Sequence, residues 1–128
     1  MKIHHIGIIV DNIYKNLEIF VSLGYSCTSN IVIDKIQNNK IVFLQQQDDC
    51  CKIELIQPLN EHSTVYNFPC GLHHLCYEVK CDYNTFAESF KKMKIGKIFT
   101  RPICAPAINN RQVVFAYTKA NNILEFLF

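Results

Sequence analysis

His5, Glu54, His74 and Glu125 are the residues of this chain whose types and spacing could do chemistry, because each half of the sequence carries one such imidazole and one such carboxylate in matching surroundings. His4-His5 opens the apolar run Ile6-Gly7-Ile8-Ile9-Val10, and His73-His74 opens Leu75-Cys76-Tyr77-Glu78-Val79, 74 − 5 = 69 residues later. Ile53-Glu54-Leu55-Ile56 is matched by Leu124-Glu125-Phe126-Leu127 at an offset of 125 − 54 = 71. Two imidazoles and two carboxylates suit a divalent ion such as zinc, nickel, cobalt, manganese or ferrous iron. A carboxylate inside an apolar strand is costly unless it meets a cation, a hydrogen-bond donor or water. One shared metal would meet the need of both acids. The plainer reading puts Glu54 and Glu125 on water-facing rims, with Lys52 and Lys119 as loose ion partners, and makes the histidines structural.

Such a site requires strands that present the four side chains to one cavity. Residues 3–10 read as a strand with Ile6, Ile8 and Val10 on one face and His5, Gly7 and Ile9 on the other. Asp11 or Asn12 can cap a helix running to about Leu23, with Ile13, Leu17 and Phe20 on its buried stripe and Gly24 as its stop. Strands follow near 25–33, 39–46 and 51–57. The order then repeats: strand 71–80, helix 82–94, and strands near 97–103, 111–117 and 122–127. Leu75, Tyr77 and Val79 form the helix-packing face of the second half, so His74 falls opposite them as His5 does. Parity puts His4 and His73 with the apolar sets and makes them poorer ligands. The chain is thus expected to be one α+β domain, 1–128, of two βαβββ modules at about 1–58 and 70–128 connected by 59–69.

The composition fits that picture. Two modules of this size would each be marginal alone, so they should pack together. A net charge of +2 and the lack of any basic run beyond Lys91-Lys92 argue against nucleic acid. No stretch approaches the apolar length of a membrane span, so a cytoplasmic location is expected. The seven cysteines form no Cys-x-x-Cys and are an odd number, which favours reduced thiols over a disulfide framework. Cys50-Cys51 reads as turn or packing residues, since neighbours in an extended chain point opposite ways.

The duplicated ligands, together with His5-Ile6-Gly7, the stretch from Glu54-Leu55-Ile56-Gln57-Pro58-Leu59 to Val65, and Gly71-Leu72-His73-His74, resemble the vicinal oxygen chelate superfamily, the glyoxalase and bleomycin-resistance fold. The resemblance spans essentially the whole chain and is closest to methylmalonyl-CoA epimerases, with lactoylglutathione lyases also similar. It implies two βαβββ modules around a central metal cleft, with His5, Glu54, His74 and Glu125 as ligands of one divalent ion (Zn, Ni, Co or Mn). It further implies abstraction of a proton α to a carbonyl and stabilisation of the enolate, with Glu125 as first candidate base and Glu54 as second. The substrate would be an acyl-CoA thioester or, for a glyoxalase I-type lyase, a glutathione adduct. A non-catalytic small-molecule binding protein of the same fold is the alternative from another class, though retention of all four ligand types counts against it.

Two departures stand out against the epimerases. Some carry an acid on the third strand for proton transfer, where this chain has Ile41, and their Gly-rich turn before the penultimate strand is replaced by Ala105-Pro106-Ala107-Ile108-Asn109-Asn110-Arg111. Arg111, Lys97 and Arg101 could meet a substrate phosphate or carboxylate, although scattered cations are usually just solvated. Exposed strand edges and the habit of the superfamily both suggest a homodimer.

Overall fold

Strict alternation decides which face each strand presents. In the computed structural model, which describes residues 1–128, the first half forms β1 (Lys2–Ile9), α1 (Ile13–Ser22), β2 (Ser26–Cys27), β3 (Val32–Asp34), β4 (Asn39–Gln45) and β5 (Lys52–Pro58). The second half forms β6 (Gly71–Glu78), α2 (Tyr83–Met93), β7 (Gly96–Ile98), β8 (Ile103–Ala105), a 3-10 turn at Pro106–Ile108, β9 (Arg111–Thr118) and β10 (Ile123–Leu127). All strands join one mixed sheet in the order β2-β4-β5-β1-β6-β10-β9-β7, with β3 also on β4 and β8 also on β9. This is the α+β vicinal oxygen chelate fold. The modules meet at its centre, where β1 runs antiparallel to β6, while β1–β5 and β6–β10 are the two parallel pairs. No helix is long and apolar enough to cross a membrane.

One face of the sheet packs on the helices. Val10, Val42, Leu44, Ile53 and Leu55 bury Ile13 of α1, with Leu17 and Phe20 against them. Val79, Val114, Ala116 and Phe126 do the same for Phe86 and Phe90 of α2. The alternate residues, Ile9, Ile41, Phe43, Ile56, Cys76, Val113 and Leu127, form a third cluster on the opposite, inner face. His5, Glu54, His74 and Glu125 share parity with this inner set. Asn12, rather than Asp11, caps α1, its side-chain oxygen accepting from Tyr14 N and Lys15 N at 3.0 and 3.1 Å.

The strands expected as continuous at 25–33 and 97–103 are each broken in two. β2 and β3 pair with opposite ends of β4, and β7 and β8 with opposite ends of β9. At the first break Phe43 N donates to Ser29 Oγ at 3.0 Å and Thr28 N donates to Phe43 O at 2.8 Å. At the second, Phe115 N donates to Thr100 Oγ1 at 2.9 Å and Phe99 N to Phe115 O at 2.9 Å. A hydroxyl side chain thus replaces a ladder carbonyl in each module, which lets the strand interrupt without orphaning a backbone donor.

The connection 59–69 is more than a link. Ser63 Oγ donates to Asn39 Oδ1 at 2.6 Å, Asn39 Nδ2 donates to Thr64 Oγ1 at 3.1 Å, and Thr64 N donates to Gln37 O at 3.0 Å. These bonds fasten the segment over β4 and bury Val65 in the inner cluster.

Candidate metal centre and adjoining cavity

The centre is built on four strands, two from each module. β1 supplies His5 and β5 supplies Glu54; β6 supplies His74 and β10 supplies Glu125. All four are buried, His5 completely and the others at 3–6% exposure, which removes the reading of Glu54 and Glu125 as water-facing rim residues. Neither needs Lys52 or Lys119, because the histidines are their partners. His5 Nε2 lies 3.3 Å from Glu54 Oε2 and 2.9 Å from Glu125 Oε2, and His74 Nε2 lies 3.4 and 3.3 Å from the same two oxygens. The two Nε2 atoms are 3.2 Å apart.

These separations fit donor atoms converging on one ion. Metal bonds of ~2.0–2.1 Å give ligand-to-ligand edges of ~3.4 Å in a tetrahedral cage, and shorter edges at higher coordination number. Glu125 Oε2 supports the same conclusion: it is buried, and its nearest polar neighbours are the His5 and His74 Nε2 atoms at 2.9 and 3.3 Å. Two buried carboxylates also carry the charge that a divalent cation would balance. The residues present therefore fit a divalent metal.

Electrostatics without the ion tell the same story. Burial alone would push His5 and His74 down, but the Glu54 and Glu125 carboxylates overcome it and raise them to about 9 and about 10. Burial likewise pushes both acids up, and the adjacent imidazoliums more than reverse this, leaving Glu54 and Glu125 below the usual carboxylate range. Protons occupy the place of a cation.

Packing fixes the histidine rings. Gly7 stands opposite His74 in the β1–β6 ladder, and a Cβ there would lie 2.2 Å from His74 Cε1. Phe43 meets His5 edge to face at 5.1 Å between ring centroids, and Phe115 meets His74 at 5.5 Å. Periodicity could have revealed this pair, since Phe43 and Phe115 occupy matching strands 115 − 43 = 72 residues apart.

His4 and His73 depart from the parity expectation for a specific reason. In the β1–β6 ladder Ile3 pairs Tyr77 and His5 pairs Cys76, so His4 is passed over; Gly7 pairs His74 and Ile8 pairs Leu72, so His73 is passed over. Each first histidine of a His-His pair is the extra residue of a bulge, which re-aims its side chain. Its ring then reaches the ring of the second histidine: His4 Nδ1 lies 2.8 Å from His5 Nδ1, and His73 Nδ1 lies 2.9 Å from His74 Nδ1. Burial, then the neighbouring His5 or His74, lowers both to about 4, so they are neutral near pH 7. They do not join the cage; they contact its outer side.

Beside the cage opens a cavity of about 230 Å³. Glu54, Glu125, His73 and His74 form its polar end, Ile41, Ile56, Phe99, Ile103 and Phe115 its apolar walls, and Thr64, Val65 and Phe68 the side closed by the connecting segment. Ile41, an apolar side chain 4% exposed, stands in the cavity wall. No Lys or Arg lines it. Arg111, expected as a possible anion contact, instead holds Glu78 at 2.8 Å and the Phe128 carbonyl at 3.0 Å, and Lys97 and Arg101 are exposed. The loop 105–111 folds through the 3-10 turn with Asn109 and Asn110 in left-handed conformation, at φ 54° and 60°. All seven cysteines are unpaired. The buried Cys76 is held far above its usual range by burial and by Glu125, so it stays a thiol and is no nucleophile.

Comparison with known proteins places this architecture. The family model described as the glyoxalase/bleomycin resistance protein/dioxygenase superfamily matches residues 4–115. No curated protein matches the sequence. Among solved structures, a hypothetical protein from Bacillus halodurans C-125 is similar at 27% identity and a TM-score of 0.84, covering 98% of this chain and 92% of that one. Methylmalonyl-CoA epimerase from Mycobacterium tuberculosis is similar at 19% identity and a TM-score of 0.83, covering 98% and 85%. A substituted Streptomyces coelicolor methylmalonyl-CoA epimerase in complex with 2-nitronate-propionyl-CoA is similar at 16% identity and a TM-score of 0.81, covering 99% and 93%.

Proposed function

Because the chain belongs to the glyoxalase/bleomycin resistance/dioxygenase superfamily, we propose that it is a metal-dependent isomerase or epimerase that removes and returns a proton α to a carbonyl, most like methylmalonyl-CoA epimerase. The observation that carries this reading is the convergence of His5 Nε2, His74 Nε2 and the Oε2 atoms of Glu54 and Glu125 beside a cavity whose lining is about half apolar, with Gln37, Asn39, Thr64 and Thr100 among its other polar residues. His5, Glu54, His74 and Glu125 would hold a divalent ion, with Zn, Ni, Co and Mn all compatible with the donor set. When bound, the ion supplies Lewis-acid polarisation of a substrate oxygen and stabilisation of enolate charge.

The chain's own residues supply the rest. Glu125, on loosening from the ion, is the proposed base, and Glu54, the only other acid lining the cavity, is the second proton-transfer group. The apolar walls exclude water from the carbanion-like intermediate and strengthen the electrostatic terms near it. An acyl-CoA thioester is the proposed substrate, with its acyl end in the cavity. A homodimer belongs to the same proposal, but the cage is complete within one chain, so dissociation would not dismantle it.

Ile41 favours a second reading. An epimerase that uses an acid on the third strand has no such group here, and the cavity's two carboxylates stand together at the metal end. That arrangement suits proton transfer between adjacent carbons as in lactoylglutathione lyase. Incubation of the metal-loaded protein with methylmalonyl-CoA in D2O, beside the methylglyoxal–glutathione adduct, separates the two. Deuterium entering the α-position of the thioester at a catalysed rate supports the epimerase; turnover of the adduct alone moves the assignment to the lyase; neither, with metal bound, leaves a ligand-binding protein.

A further inference from the structure

The carboxylate of Asp34 is fully buried and is held by N–H groups alone. Oδ1 accepts from Ile36 N at 2.8 Å and Gln37 N at 3.0 Å, and Oδ2 accepts from Gln37 Nε2 at 3.3 Å. A carboxylate only accepts, so it fixes the Gln37 amide with its nitrogen toward Asp34 and its oxygen toward Thr64. The orientation then propagates. Thr64 Oγ1 gives its hydrogen to Gln37 Oε1 at 3.4 Å and must therefore accept from Asn39 Nδ2 at 3.1 Å. That turns Asn39 Oδ1 toward Ser63 Oγ, its donor at 2.6 Å, and Ser63 Oγ accepts in turn from Val65 N at 3.1 Å. Every hydroxyl hydrogen in this chain of bonds is spent within it. Each amide nitrogen carries two hydrogens and uses one, so Gln37 and Asn39 keep one unused N–H apiece. Both residues are more than nine-tenths buried, and both line the cavity beside Thr64. A buried donor left unmade is costlier than a spare carbonyl lone pair.

The second module has no copy of this device. The counterpart of Asn39 on β9 is Arg111, 111 − 39 = 72 residues later, which binds Glu78 and the Phe128 carbonyl and does not line the cavity. The amide wall is thus no part of the repeated framework. It is also remote from the metal cage: Phe43 pairs with Glu54, and Asn39 stands four residues away on the same strand, about 13 Å along it. We infer that Gln37 and Asn39 form a second subsite that donates hydrogen bonds to a neutral carbonyl oxygen in the non-reacting part of the substrate. The oxygen is neutral because this wall offers no counter-charge: no Lys or Arg lines the cavity, and the Asp34 carboxylate stands directly behind Gln37. The substrate is thereby one carried on an amide-linked arm, as a pantetheine thioester or a glutathione adduct is, rather than a free keto or hydroxy acid. This inference rests on the reading of the cavity as the substrate site.

Asn39→Asp keeps the shape and the bond from Ser63 but replaces the spare donor with an acceptor; Gln37→Met keeps the length and removes the donor. The experiment first measures zinc content and melting temperature of the wild type and both variants. Each zinc-saturated protein is then titrated by calorimetry with alkyl hydroxamates that end either in an N,N-dimethylamide, which only accepts, or in an isobutyl group of the same shape, over a series of chain lengths. The expected result is a loss on the order of tenfold in affinity for the amide-ended probe in both variants at the best length, with the isobutyl-ended probe unchanged. Equal losses for the two probes, or no loss at any length, overturn the inference and leave the metal centre intact. Side-chain amide NMR of the metal-free wild type reads the subsite without the ion. N,N-dimethylacetamide should shift the Gln37 and Asn39 resonances, and so should whichever of pantetheine and glutathione supplies the natural arm; no shift with any of them overturns the inference. A wild type that takes up no zinc, nickel, cobalt or manganese overturns the metal reading, and these shifts then decide the subsite by themselves.

Discussion

Gly7 and His74 face each other across the β1–β6 ladder, and the missing Cβ of the one is the space occupied by the imidazole of the other. The nearest approach would be 2.2 Å, well inside contact distance, and two further ring atoms lie within 2.7 Å. Gly7→Ala therefore has to move a ring that Phe115 and His73 already hold. Strain of this kind costs ~1–3 kcal/mol in a packed interior. The expected outcome is a lower melting temperature together with at least tenfold weaker zinc affinity, measured by competition with a chromophoric chelator. Unchanged affinity would mean that the His74 ring is not placed by this contact.

Zinc uptake should displace protons. With His5 raised to about 9 and His74 to about 10, both imidazoles are protonated at pH 7 in the metal-free protein, and each must lose its Nε2 proton to become a ligand. Calorimetric titration with zinc in buffers of different ionisation enthalpy is expected to report release of about two protons per ion, with affinity falling steeply as the pH is lowered. Glu54→Gln and Glu125→Gln each remove a partner that holds those protons, so either variant should release fewer. A release near zero in the wild type would contradict neighbouring imidazoliums.

The convergence of the four candidate ligands was readable from sequence because alternation in a strand is rigid: Glu54 between Ile53 and Leu55, and Glu125 between Leu124 and Phe126, can only face away from their apolar neighbours. His5 and His74 followed by the same parity. Parity failed at His4 and His73 because a bulge inserts a residue that alternation does not count, and the register shift depends on how two distant strands meet. The broken strands at 25–33 and 97–103 were hidden for a related reason: Ser29 and Thr100 look like ordinary strand residues until their hydroxyls are seen accepting from Phe43 and Phe115. Arg111 was legible as a cation but not as the partner of Glu78, which lies 111 − 78 = 33 residues away on β6.

Thr100 should influence the metal through Phe115. Its hydroxyl takes the Phe115 N–H that no strand carbonyl reaches, and the Phe115 ring packs on His74. Thr100→Val keeps the shape and deletes the acceptor, with an expected cost of about 1–3 kcal/mol for the orphaned donor. Thermal melts should show the loss, and zinc affinity should fall with it. Ser29→Ala tests the copy of this device in the first module, acting on His5 through Phe43. Both variants melting like the wild type would show that water replaces the hydroxyl at little cost.

Stability of the metal-free protein should be confined to a window of pH, and metal should widen it on the alkaline side. His5 and His74 have folded values raised to about 9 and about 10 against an ordinary 6.5, so their contribution is complete below 6.5 and is lost as pH rises through 9–10. Glu54 and Glu125 are depressed, so theirs is present above the ordinary value of 4.5 and is lost as pH falls. His4 and His73, lowered to about 4, add to the acid loss, since the unfolded chain binds their protons first as pH drops below 6.5. Melting temperatures in chelator should therefore be highest near pH 6.5, falling progressively between 6.5 and about 9–10 on the alkaline side and below 6.5 on the acid side. With saturating zinc the alkaline decline should disappear over that range, because ligated imidazoles have no such proton left to lose and the cation neutralises the two carboxylates in their place. An alkaline decline that persists unchanged with zinc bound would mean that the ion sits elsewhere than between His5, Glu54, His74 and Glu125.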